Sequence, residues 1–219
     1  MKKPLIKWLL SLCVLCILSF TSFAKKGDKV PGYVILNNGQ KITGKVIIGS
    51  ITDNEVKVKF IHPGKSRKTV YRPKEVKGYG YQEVEIDEIG DKVKRWVNFS
   101  RHKVDYPPKP FASTLVFMEK EEMGAMTLYC YYVEVRNDVK NPYKYYYYLQ
   151  VDDGKVQKVT RESFKSISKT LFKKYPALAT RIGQKNFIYR NLDRMVRDFN
   201  YWVVNQHDSN EYRVALKEN

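Results

Sequence analysis

The chain reads as an α+β protein in which the strands come first and the helices last. Three observations predict this. Short runs of alternating apolar and polar residues, punctuated by turn residues, fill 31–106. A denser set of four apolar and tyrosine-rich runs follows over 114–160. After residue 160 the apolar spacing changes from two to three and four, which is the helical period.

The first strand spans 32–36 and is closed by Asn37-Asn38-Gly39-Gln40, whose Asn-Gly pair is a hairpin signal. A second covers 41–48, with Gly49-Ser50 and Asp53-Asn54 marking its end. Residues 55–60 alternate, placing Val56, Val58 and Phe60 on one face and Lys57 and Lys59 on the other. His62-Pro63-Gly64-Lys65 turns the chain into a return strand at 69–71, and 72–76 reads as one helical turn. Strands at 78–86 and 93–99 extend this region, an antiparallel β region over 25–106. Pro107, Pro108 and Pro110 then separate it from a second unit, because proline donates nothing to a sheet.

That second unit, 107–160, is an antiparallel meander of strands at 114–119, 126–135, 143–151 and 156–160. In the second of these, Leu128, Cys130 and Tyr132 point one way and Tyr129, Tyr131 and Val133 the other. A strand apolar on both faces calls for cover on both. The helical segment 161–219 supplies it. Phe164, Ile167, Leu171 and Tyr175 line one helix, Pro176 opens a short second, and Gly183 ends it. The last helix covers 189–204, with Leu192, Met195, Val196, Phe199 and Val203 as its apolar stripe. Arg190, Arg194 and Arg197 lie opposite, with Asp193 and Asp198 spaced to pair with them, and a polar tail follows Asn205.

The N-terminus carries an export signal. Lys2, Lys3 and Lys7 precede an apolar stretch over 8–20, and Thr21-Ser22-Phe23-Ala24 presents a small-x-small cleavage site. The uncharged stretch is shorter than the roughly 20 apolar residues a spanning helix needs. Leu12 before Cys13 and Leu15 before Cys16 fit no lipid-acceptor pattern. With the first 24 of 219 residues removed, 195 remain, and Cys130 is the lone cysteine, so no internal disulfide can form. Losing three lysines lowers the formal charge from +17 to +14. That surplus favours anionic partners such as phosphate-bearing lipid or acidic polysaccharide over nucleic acid in such a compartment.

Two segments resemble a known family. Asn38-Gly39-Gln40 through Gly44-Lys45-Val46, with Tyr71-Arg72-Pro73-Lys74-Glu75-Val76-Lys77-Gly78-Tyr79, resembles an "NGxxxxGK(I/V)" hairpin followed by "YxPx(D/E)(I/V)xG(F/Y)". Tyr175-Pro176-Ala177-Leu178-Ala179, Ile182 and Met195-Val196-Arg197-Asp198-Phe199-Asn200 are similar to "PxLAxxI…IVxxYN" helices. Both patterns occur in an uncharacterised family of secreted Bacteroidetes proteins. The resemblance implies export and architecture and transfers no site residue. More distantly, the strand order over 30–82 resembles an SH3-like or Sm-like small barrel, with Gly44 as the bend.

Searching for chemistry yields little. His62, His102 and His207 read as surface residues, and no metal, phosphate-loop or nucleophile-elbow motif is present. No catalytic residue, metal or cofactor is therefore expected. Glu83, Glu85 and Asp87 share a strand face beside Glu88, which gives a hydrolase of envelope glycans as one alternative. An Sm-like nucleic-acid binder is the other, and it requires the first 24 residues not to be an export signal. The leading expectation is a non-enzymatic envelope protein, periplasmic or at an envelope surface, that binds a protein or an anionic polymer. Its candidate contacts are Tyr129, Tyr131, Tyr145 and Tyr147 as stacking rings. The basic candidates are Lys165, Lys169 and Lys173 at four-residue spacing, with Arg190, Arg194 and Arg197.

Overall fold

The computed structural model describes residues 26–215, apart from 88, 106–112, 136–137 and 139–141. Residues 1–24, read above as an export signal, the proline stretch and Glu88 lie outside the described residues, and so does the side chain of His207. The described chain is a large antiparallel sheet with a few helices at its C-terminal end, so the α+β reading holds.

The elements are β1 (Lys29–Leu36), β2 (Lys41–Ile47), α1 (Ile51–Val56), β3 (Val58–Ile61), β4 (Lys68–Tyr71), β5 (Val76–Ile86) and β6 (Lys92–Lys103). They continue with β7 (Leu115–Glu122), β8 (Met126–Glu134), β9 (Tyr143–Val151), β10 (Gln157–Val159), α2 (Phe164–Leu171), α3 (Pro176–Ala179) and α4 (Leu192–Ala215). Short 3₁₀ turns at Phe172–Lys174 and Tyr189–Asn191 lead into α3 and α4.

All ten strands form one sheet in the order β10-β9-β8-β7-β6-β5-β1-β2-β3-β4. It is open, with β4 and β10 at its edges, so no ladder closes 30–82 into the small barrel considered above. Gly44 makes room rather than a corner. A Cβ there would stand 2.5 Å from Cζ of Phe60 and 2.4 Å from the Ile61 carbonyl.

One sheet face carries two cores. Val34, Val46, Phe60, Tyr79, Phe99 and Phe117 form the first, with the rings of Tyr79 and Phe99 stacked at 4.5 Å. Leu128 and Leu149 on the same face meet Phe164, Phe172, Leu192, Met195 and Phe199 of the helical segment in the second. On the opposite face of the meander, Val116, Met118, Tyr129, Tyr131 and Tyr148 form a third cluster with Val104. The helical segment thus covers only the Leu128 face of β8, and on the other face Tyr129 and Tyr131 are buried among strand residues and Val104.

Three expectations are corrected. Residues 51–56 form α1, not a turn followed by a strand from residue 55, because Ser50 caps them: its Oγ accepts from the Asp53 amide at 3.3 Å. Thr52 and Glu55 of α1 are buried, and the helix rests on β7 and β8. There the Glu55 carboxylate accepts from the Tyr132 amide at 2.5 Å. The polar tail after Asn205 is the outer part of α4, which runs to Ala215; no Gly or Pro follows Val204 to stop it. His102 is half-buried rather than exposed. Its ring lies 4.5 Å from that of Tyr129 and hydrogen-bonds Ser100 at 2.8 Å, and burial, then the Lys120 charge, lowers its pKa to about 4.

Candidate functional site

Antiparallel register decides which polar side chains share a face. Glu83 opposes Arg95, and Phe99 opposes Glu119. Period-two alternation therefore sets Glu83, Glu85, Arg95 and Glu119 on the core face, in the strip between the two cores. Arg95 gathers the acids: Nη2 lies 3.0 Å from Glu83, Nε 3.0 Å from Glu85, and Nη2 3.9 Å from Glu119. Asp87 is used locally, its Oδ1 accepting from the amides of Ile89 and Asp91. The three acids of the hydrolase alternative are thus occupied by structure.

Two acids that the sequence did not single out are more perturbed. Burial raises Glu119 to about 7; Glu121 pushes the same way, and Arg95 opposes both. Burial also raises Glu121, with Arg95 opposing and Asp193 adding to the rise. The β7–β8 register shifts between Lys120 and Glu122, so that Glu119 and Glu122 oppose Cys130 and Leu128 on one face of β8. Glu121 lines a cavity of about 320 Å³ with Cys130, Tyr132, Tyr145, Tyr147 and Asp193. The Cys130 thiol is buried, and burial pushes its pKa up, which leaves it a packing group rather than a nucleophile.

The four candidate tyrosines separate. Tyr129 and Tyr131 are buried in the third cluster, and Tyr129 donates to Gln150 at 2.6 Å, so neither offers a ring to a ligand. Burial raises the pKa of both. Tyr145 and Tyr147 line the acidic cavity, their rings 5.3 Å apart. Tyr147 also packs on Tyr189 at 5.4 Å.

The basic candidates divide too. Arg197 turns from its helix to the sheet, and its Nε donates to Glu122 at 2.9 Å; the expected partners Asp193 and Asp198 sit on its own helix. Arg194 and Lys169 are exposed. Lys165 and Arg190 come together with Arg161 around a hollow of about 440 Å³ that Tyr189, Gly183 and Glu162 also line. Burial pushes the Tyr189 phenol up to about 12. Arg161 continues the four-residue spacing of Lys165, Lys169 and Lys173, but it lies ahead of α2, which begins at Phe164, so the helix on which the row was read does not include it. Lys173, at the other end of that row, borders a different and more apolar hollow.

A second basic hollow, about 620 Å³, lies between β2 and the β3–β4 turn, with Lys29, Lys45, Lys65 and His62 on its walls. Among the described residues no group of three His, Cys, Asp or Glu could hold a metal ion. Among the same residues no helix is long and apolar enough to cross a membrane. No family model, curated protein or solved structure matches the chain.

Proposed function

We propose that the chain is an exported, non-enzymatic envelope protein that binds an anionic polymer. The observation that carries this is the hollow in which Arg161 and Lys165, on either side of the start of α2, and Arg190, in the turn before α4, face one space beside Tyr189. Guanidinium groups grip phosphate and carboxylate through paired N–H donors. The basic hollow at the β2 end lies six strands away from β9, roughly 30 Å at about 4.8 Å per strand. Two separated basic hollows suit an extended ligand better than a small one.

The test is binding of a phosphate-bearing envelope polysaccharide by the full chain at rising salt. Arg161→Glu with Arg190→Glu should weaken it at least tenfold and flatten its salt dependence, while Lys94→Glu should not. Equal binding by both variants refutes the assignment.

Glu119 supports a second reading. A carboxyl raised to about 7 beside Glu121 is the kind of group a hydrolase uses as a proton donor. Turnover of an envelope glycan that Glu119→Gln abolishes, with anion binding intact, would favour that reading over the first.

A further inference from the structure

One apolar hollow among the described residues is not explained by anion binding. It encloses about 610 Å³, within the ~300–1,000 Å³ range of small-molecule sites. Phe199, Val151, Leu171, Trp202 and Val203 line it. Phe199 is buried, whereas Leu171, Trp202 and Val203 remain half-buried. The Trp202 indole is held in place by stacking on Tyr175, 4.8 Å apart and 8° from parallel.

The polar part of the lining is lopsided. Lys173 and Lys174, consecutive and exposed in the turn after α2, both border the hollow. Asp152, in the turn after β9, Thr170 of α2 and Gln206 of α4 complete the polar part of the wall. An apolar space with two adjacent ammonium groups and an indole at its border matches a long apolar chain with one anionic end. A peptide fits worse, because its backbone would bring N–H and C=O groups that this lining does not satisfy.

We infer that this hollow binds the acyl chain of an anionic amphiphile, with the headgroup between Lys173 and Lys174. The site shares no residue with the Arg161 hollow, so it stands or falls without it.

The probe is a spin-labelled C16 fatty acid below its micelle concentration, added to full chain carrying Trp8→Phe and Trp96→Phe so that Trp202 alone reports. Saturable quenching at one ligand per chain is expected. Lys173→Glu with Lys174→Glu, both at exposed positions, should weaken it at least tenfold. The C16 alcohol should bind at least tenfold more weakly than the acid. Absent or non-saturating quenching overturns the inference. So does quenching that is equal for acid and alcohol, or unchanged in the lysine variant. Binding by two phosphate-bearing single-chain lipids of different headgroup would show that the charge, and not the carboxylate, is read.

Discussion

Asn200 of α4 and Met126 of β8 close a ring of two hydrogen bonds, Oδ1 accepting from the Met126 amide and Nδ2 donating to its carbonyl, both at 2.8 Å. The side-chain amide stands where a neighbouring strand would, and it ties the long helix to the sheet 74 residues away. Gly124 lies against the same amide, and a Cβ there would come within 2.5 Å of the Asn200 Cγ. Asn200→Ala should cost about 2 kcal/mol, since it removes two bonds to buried backbone. Gly124→Ala should cost about 1 kcal/mol or more by displacing the amide. Urea unfolding of the two single variants and the double measures this. A double-variant loss equal to the sum of the singles would mean that the two positions act independently.

Glu55 performs the equivalent task for α1, accepting from the Tyr132 amide. Ladder pairs between β7 and β8 run only from Glu119/Cys130 to Glu122/Leu128, so beyond Cys130 the helix takes the place of a strand. Glu55→Ala should destabilise by about 2–4 kcal/mol, leaving a buried donor unmet. Glu55→Gln, which keeps an acceptor oxygen, should lose less than half as much. Equal losses in thermal unfolding would show that the charge, not the acceptor, matters.

Glu119 makes stability fall with rising pH. An unfolded carboxyl ionises near 4.5, and the folded one near 7. Between these values the native state holds the extra proton, so its stabilising effect is full below pH 4.5 and is lost as pH rises through 7. Glu119→Gln should therefore match wild type at pH 4 and exceed it by about 2 kcal/mol at pH 8. Parallel stability curves for the two proteins would contradict this.

His102 acts with the opposite sign over an overlapping window. Its ordinary value of 6.5 falls to about 4 in the folded chain, so the unfolded state takes the proton first and stability is lost as pH drops from 6.5 to 4. His102→Gln should recover about 2 kcal/mol at pH 4 and none at pH 8. The two groups together should make the wild-type curve flatter between pH 4.5 and 6.5 than that of either variant. Denaturant midpoints taken every half unit of pH would reveal the difference.

Much of the architecture was legible in the residues. β9 falls where the tyrosine run indicated, and Pro176 opens α3 as its fixed φ suggests. α1 was not legible from hydrophobic periodicity, since its buried positions are Thr52 and Glu55; only the Ser50-x-x-Asp53 cap spacing marks it. The tyrosines could not be sorted because β8 is covered on both faces, so alternation separates two interiors and not inside from outside. Glu83 and Glu119 are 36 positions apart in the chain. Only the β5–β6–β7 register places them on one arginine, and no local pattern encodes that.

The strand order has a temporal consequence. Every neighbouring pair in the sheet is consecutive in sequence except β1 with β5, where Gly32 opposes Tyr81. The hairpins from β5 to β10 close short loops, whereas the β1–β5 ladder must wait for about fifty residues to be made and brought back, a slower search. Synthesis runs from the N-terminus, so β1 and β2 pair while the other edge of β1 is still open. Until β5 arrives, that edge is the most recruitable backbone in the growing chain, and the arrival of β5 joins two locally folding halves into one sheet.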